Sequence, residues 1–157
     1  MDQASRLISI LKSKNQTIGS CESLTAGLFS ATLAGISGAS AVLKGGLITY
    51  YTPLKTKLAH VDPELIERYG VISKECAQAM AENARVIMDV DYCVSFTGNA
   101  GPETMENKPA GLIYCAIASK DDIKTYCFQY ENLERNTCRQ QVVKDMIDNC
   151  ILYINKE

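Results

Sequence analysis

TIGSCESLTAGLFSATL, residues 17–33, is the stretch on which the fold turns. Thr17 to Cys21 suits a short strand. Leu24 to Leu33, rich in Ala, Leu, Phe and Ser, suits a helix that Gly35 and Gly38 stop. A strand handing over to a helix is the repeating step of an α/β fold, and it leaves Ser23 at the turn. Unpaired backbone N–H groups at a helix start attract anions, so this turn suits a phosphate or an oxyanion. Taken alone, Ser23 reads as a helix cap, and composition by itself does not make it a nucleophile.

Working outward, Ala4, Leu7, Ile8 and Leu11 form one apolar stripe on a first helix that ends near Lys14 and Asn15. Residues 39–51 are β-prone, interrupted at Gly45 and Gly46. Pro53 then opens a short helix carrying Lys55, Lys57 and Leu58. Asp62 and Pro63 start another helix, which Gly70 ends, and Ser73 caps a longer one running to about Met88. Tyr92 to Thr97 and Ala110 to Ala118 read as strands, the second apolar enough to be covered on both faces. Asp121 and Asp122 turn the chain into a strand over Ile123 to Tyr130, an antiparallel hairpin, and a final helix covers Leu133 to Tyr153. The order α β α β α α α β β β α predicts one domain over residues 1–157, with a sheet sandwiched between helices and some antiparallel pairing.

Composition narrows the function classes. The chain has 157 residues, 46% of them apolar and 22% charged, which suits one globular domain able to bury about two-thirds of its unfolded surface. With a net charge of -2 and no basic block, neither nucleic acid nor an anionic membrane is an expected partner. Seven cysteines without a C-x-x-C spacing suit free thiols in a reducing compartment. The N-terminus lacks the order of a secretory signal and no apolar run reaches spanning length, so a cytoplasmic location is expected. His60 is the lone histidine, which leaves no expected metal site and no Ser-His-Asp triad. It is read as a surface or cap residue. A serine enzyme built on this chain would therefore use lysine.

Lys55 and Tyr50 flank Pro53. Lys55 is a solvated charge or, if buried, a base whose pKa has been brought down toward neutrality. Thr97-Gly98-Asn99-Ala100-Gly101-Pro102 follows a buried strand, where α/β folds place ligands, although an ordinary crossover has the same composition. Arg135 and Arg139 share a helix face. They form a phosphate fork, or they are neutralised by Glu131 and Glu134.

In this order the motifs resemble the C-terminal domain of the CinA competence-damage proteins. The family's A-E-S-C-T-G-G is matched by Cys21 to Gly27, and its G-G-x-x-x-Y-x-x-x-x-K by Gly45, Gly46, Tyr50 and Lys55. T-G-x-A-G-P stands at Thr97 to Pro102, K-P-x-G at Lys108 to Gly111, and D-R-x-x-x-R is matched by Glu134, Arg135 and Arg139. The chain departs from the pattern at Leu24, at Ala26 and in residues 103–107.

The resemblance implies a three-layer α/β/α sandwich with a mixed, mostly parallel sheet, assembled as a homodimer. It implies hydrolysis of nicotinamide mononucleotide to nicotinate mononucleotide and ammonia, in pyridine-nucleotide salvage and without a cofactor. Carried onto this chain, Ser23 is the nucleophile, activated by Lys55 directly or through Tyr50. Thr25, Gly46, Thr97, Gly98, Asn99, Ala100, Gly101, Arg135 and Arg139 bind substrate, either arginine meeting the phosphate. A binding module without turnover and an amidase for another nucleotide amide remain as alternatives.

Overall fold

The computed structural model describes residues 1–156. Helix α1 (Gln3–Lys14) is capped by the Asp2 carboxylate and ends on Asn15 in the left-handed region. Strand β1 (Ile18–Glu22) follows, then α2 (Leu28–Ala34), a 3-10 turn at Ala39–Ala41 and β2 (Leu43–Ile48). Three helices come next: α3 (Thr52–Ala59), α4 (Pro63–Tyr69) and α5 (Lys74–Met88). Strands β3 (Tyr92–Gly98), β4 (Leu112–Ala118) and β5 (Ile123–Gln129) precede the long α6 (Arg135–Asn155).

The five strands form one mixed sheet in the order β2-β1-β3-β4-β5. β1 runs parallel to both β2 and β3, whereas β4 is antiparallel to β3 and to β5. Alternation along β3 builds both faces. Val94 and Phe96 enter the core beneath α1, α2 and α6 with Leu7, Phe29, Ile113 and Ile147, while Cys93 meets Cys76 and Met80 of α5 on the other side. This is the three-layer sandwich that the motif order implied. Among the described residues no helix is long and apolar enough to cross a membrane.

The register brings the site together. Glu22 at the end of β1 stands opposite Ile48 on one side and Phe96 on the other, so the carboxyl ends of β1, β2 and β3 lie level. Gly98 pairs with Ile113 and Leu112 with Gln129, which adds the start of β4 and the exit from β5 to the same edge.

One expected boundary is corrected. α2 begins at Leu28 rather than Leu24, because Ala26 and Gly27 adopt φ of 48° and 96°, a left-handed pair that no right-handed helix can run through. Ser23 is therefore not a helix cap. It lies in the turn ahead of the helix, and Gly27 is the N-cap residue.

Candidate active site

Ser23 is the first residue beyond β1, and its N–H donates to the Phe96 carbonyl at 2.9 Å, carrying the β1–β3 ladder one step further. On the other flank the Thr49 N–H donates to the Glu22 carbonyl at 2.8 Å. Pro53 lies in the first turn of α3, which suits a residue with no N–H to give, and the helix brings Lys55 back under the end of β1. Lys55 is 1% exposed, with its Nζ 3.0 Å from Ser23 Oγ and 2.7 Å from the Thr49 carbonyl oxygen.

A buried ammonium needs compensation, and Lys55 has little. Burial pulls its pKa below the ordinary lysine value, against smaller opposing contributions from Cys76, Cys21 and Glu106. Burial also pushes Cys21 up to about 12 and Cys76 to about 11, so both are neutral thiols near pH 7 and offer no thiolate charge there. The neutral amine is thereby favoured. In that form, with Nζ donating to the Thr49 carbonyl, its lone pair can take the Ser23 hydroxyl proton.

Two charged side chains hold the turn that carries Ser23. The Glu22 carboxylate, 1% exposed, accepts from the N–H groups of Gly27 (3.2 Å), Phe29 (3.0 Å) and Ser30 (3.2 Å) and from the Ser20 hydroxyl (2.7 Å). The N–H groups of Gly27, Phe29 and Ser30 at the start of α2 are thus already filled by a carboxylate, which moves any anion site off the helix start and leaves it the Leu24 N–H, bound to no acceptor among the described residues. From the opposite side Arg139 donates through Nε to the Leu24 carbonyl (2.8 Å) and through Nη2 to the Thr25 carbonyl (3.0 Å), with Nη1 on Asn136 Oδ1 (3.0 Å). The Thr25 hydroxyl is buried without a hydrogen-bond partner among the described residues.

A cleft of about 240 Å³ opens above this turn, lined by Ser23, Leu24, Tyr50, Gly98, Asn99, Ala100 and Arg135 together with the loop residues Glu103, Thr104 and Met105. The loop is a built structure. Asn99 donates to the carbonyls of Met105 and Lys108 and accepts from the Met105 N–H. Glu106 accepts from the N–H groups of Val71 and Ile72 and pairs with Lys108, which ties the loop to the turn between α4 and α5. Burial would raise the Glu106 carboxyl, but these donors outweigh it and hold the group below its usual range.

Of the residues expected to bind substrate, Gly98, Asn99, Ala100 and Arg135 line the cleft. Arg135 donates to the Gly101 carbonyl (2.7 Å) and to the hydroxyl of the half-exposed Tyr50 (2.9 Å). Glu134 caps α6 through the N–H groups of Asn136 and Thr137, and the sole ion pair among the described residues is Lys108–Glu106, so neither arginine is neutralised by Glu131 or Glu134. Thr25 and Thr97 are fully buried, the Thr97 hydroxyl donating to the Val71 carbonyl. At Gly46 a Cβ would stand 2.8 Å from Ser20 Oγ and 2.9 Å from Ser30 Oγ, so this glycine admits two hydroxyls packed against β2. His60 ends α3 in the left-handed region, as a cap. Reading the sequence missed Glu22 as an organiser of the site. The available signal was an acid directly ahead of a helix start, with no basic residue near it in sequence.

Comparison with known proteins agrees with this architecture. A family model described as the CinA C-terminal domain matches residues 2–153. A competence-damage inducible protein of Listeria welshimeri is 43% identical over 136 residues, which are 86% of this chain and 32% of that protein. One from Limosilactobacillus fermentum is 40% identical over 92% of this chain and 35% of its own length. The chain thus spans about a third of the length of these relatives. Among solved structures, the competence/damage inducible protein CihA of Agrobacterium tumefaciens superposes with a TM-score of 0.92 at 27% identity, covering 98% of this chain and 93% of that one. A CinA superfamily protein of Klebsiella pneumoniae shares the fold with a TM-score of 0.95 at 21% identity, over 99% and 97% of the two chains.

Proposed function

We propose, from the premise that the chain belongs to the CinA C-terminal domain family, that it is a serine-dependent amide hydrolase converting nicotinamide mononucleotide to nicotinate mononucleotide and ammonia in pyridine-nucleotide salvage. The observation that carries the reading is the buried Lys55, its Nζ 3.0 Å from Ser23 Oγ and its charge disfavoured by burial. A serine beside a neutral lysine is an activated nucleophile.

In this mechanism Ser23 Oγ attacks the carboxamide carbon and its proton passes directly to Lys55 Nζ. Leu24 and Ala100 border the cleft, and their N–H groups, bound to no acceptor among the described residues, receive the developing oxyanion; each such donor contributes about 3–4 kcal/mol. Collapse of the intermediate breaks the C–N bond, and Lys55 returns the proton to the leaving nitrogen, directly or across Tyr50, releasing ammonia. Water deprotonated by Lys55 then cleaves the ester, leaving the carboxylate product and restoring Ser23.

The cleft falls below the roughly 300–1,000 Å³ common for enclosed small-molecule sites, so the ring and ribose sit inside and the phosphate stays at the mouth. Arg135 meets that phosphate in this reading, because it borders the cleft and Arg139 does not. The proposal includes a homodimer acting in the cytoplasm.

The test is ammonia release from nicotinamide mononucleotide by the wild type, Ser23→Ala and Lys55→Ala. The wild type is expected to turn over and each variant to lose roughly 10³-fold or more. No ammonia from the wild type at high enzyme concentration refutes the substrate, and equal rates in all three refute the mechanism.

A further inference from the structure

We infer that Arg139 is a positioning residue that locks the Ser23 turn in its reactive shape; this rests on the reading of Ser23 as nucleophile. Its guanidinium grips two successive carbonyls, Leu24 through Nε and Thr25 through Nη2, and its third contact is Asn136 Oδ1. No carboxylate faces it among the described residues. Three donor nitrogens spent on neutral oxygens of the protein fit a structural strut.

The consequence for Ser23 follows from peptide geometry. A peptide unit is planar with its C=O and N–H pointing in opposite directions, so anchoring the carbonyl fixes where the N–H aims. The Ser23 carbonyl accepts from the Ala26 N–H at 3.0 Å, which sets the Leu24 N–H. The Leu24 carbonyl is held by Arg139, which sets the Thr25 N–H. Both planes flanking Leu24 are therefore fixed, and with them the position of its N–H relative to Ser23 Oγ. The Leu24 side chain is buried in the core, so the residue is held from that side too.

The turn needs this support. Ala26 and Gly27 lie in the left-handed region, a conformation that costs an alanine energy and that the surroundings must impose. Glu22 secures the far end by gathering the N–H groups of Gly27, Phe29 and Ser30, and Arg139 secures the near end by gathering carbonyls. An acid takes the donors and a base takes the acceptors, leaving the Leu24 and Thr25 N–H groups without an acceptor among the described residues.

The experiment measures how fast a fluorophosphonate labels Ser23, read by intact mass, in the wild type, Arg139→Met and Arg139→Lys. In this reaction the Ser23 Oγ–P bond forms, fluoride leaves and Lys55 takes the hydroxyl proton, while the P=O oxygen needs the same N–H donors as an amide oxyanion. Labelling is expected to slow about 100-fold in Arg139→Met and less in Arg139→Lys, which keeps the charge and can reach one carbonyl. The Lys variant carries the comparison if the Met variant does not fold. In parallel, kcat and KM are measured with nicotinamide mononucleotide and with the phosphate-free riboside. A fall in kcat on both substrates with KM within about twofold supports positioning. A rise in KM confined to the phosphorylated substrate, with kcat retained, would make Arg139 a phosphate anchor and overturn the inference. So would folded variants labelling within threefold of the wild type, or a wild type whose Ser23 is not labelled. Labelling of Ser23 without ammonia release refutes the proposed substrate and leaves Arg139 judged by the labelling rates.

Discussion

Replacing Glu22 by Gln tests whether one carboxylate holds the start of α2. The two carboxylate oxygens accept four donors: Oε1 takes Gly27 and Phe29 N–H, and Oε2 takes Ser30 N–H and the Ser20 hydroxyl. A glutamine has one acceptor oxygen. Its better orientation keeps that oxygen on Gly27 and Phe29 and turns the NH2 toward Ser20 and Ser30. The Ser20 hydroxyl can rotate to accept, but the Ser30 N–H cannot, and a buried donor without a partner costs about 1–3 kcal/mol. Losing the negative charge at the helix start adds about 0.3–1 kcal/mol, up to about 2 in a buried setting.

Together these give a loss of about 1–5 kcal/mol. For a chain of this size that lowers the thermal midpoint by roughly 3–20 °C. Urea unfolding followed by far-UV circular dichroism measures the free energy, with an unchanged m-value confirming that the native state alone was weakened. Glu22→Ala, which abandons all four donors, is expected to lose more. A loss below about 0.5 kcal/mol in Glu22→Gln would refute the accounting, since the Ser30 N–H would then have to be satisfied another way.

Two further perturbations address the lysine and the turn. Lys55 has its folded pKa drawn below 10.5 by burial, so the rate of Ser23 labelling should climb as pH rises through that lowered value and level off before 10.5, whereas Lys55→Arg should stay low throughout. The sign for stability is the same: between the folded pKa and 10.5 the unfolded chain binds the extra proton, so unfolding free energy rises with pH there, and Lys55→Met should lack that rise. Ala26→Gly relieves a φ of 48° worth about 1–2 kcal/mol and gives back about 0.5–1 kcal/mol in chain entropy. A net gain of about 0.5–1 kcal/mol is expected, raising the thermal midpoint by about 1–4 °C; a lower midpoint would refute it.

Elements with a strong local signal were legible from sequence. The stripe of Leu7, Ile8 and Leu11, the Asp62 and Ser73 caps, and the Asp121–Asp122 hairpin turn all fall where the structure has them. Ser23, Tyr50, Asn99 and Arg135 were expected in one site only through the resemblance; they border one cleft because each follows a strand end or opens the helix after one, and such ends converge in α/β folds. What stayed hidden depends on contacts far apart in the chain. The helix propensity of residues 24–27 gives way to a turn that Glu22 and Arg139 stabilise, and Arg139 lies 114 or more positions from the carbonyls it holds. The burial of Lys55 was illegible for the same reason. A lysine in Thr-Pro-Leu-Lys-Thr-Lys looks solvated until the end of β1 is placed above it.

The change from parallel to antiparallel pairing at β3 bears on how the site can diversify. Because β4 returns beside β3, residues 99–111 leave and re-enter the sheet at the same edge while roofing the cleft. Changing such a connection leaves the strand register untouched; the chain-entropy cost is about 0.6 kcal/mol for each doubling of a flexible loop, provided the Asn99 and Glu106 contacts that hold this one are kept. Changes at Glu103, Thr104 and Met105, which border the cleft, are thus a route by which one scaffold, with its serine and lysine fixed below, can be refitted to ligands of different bulk.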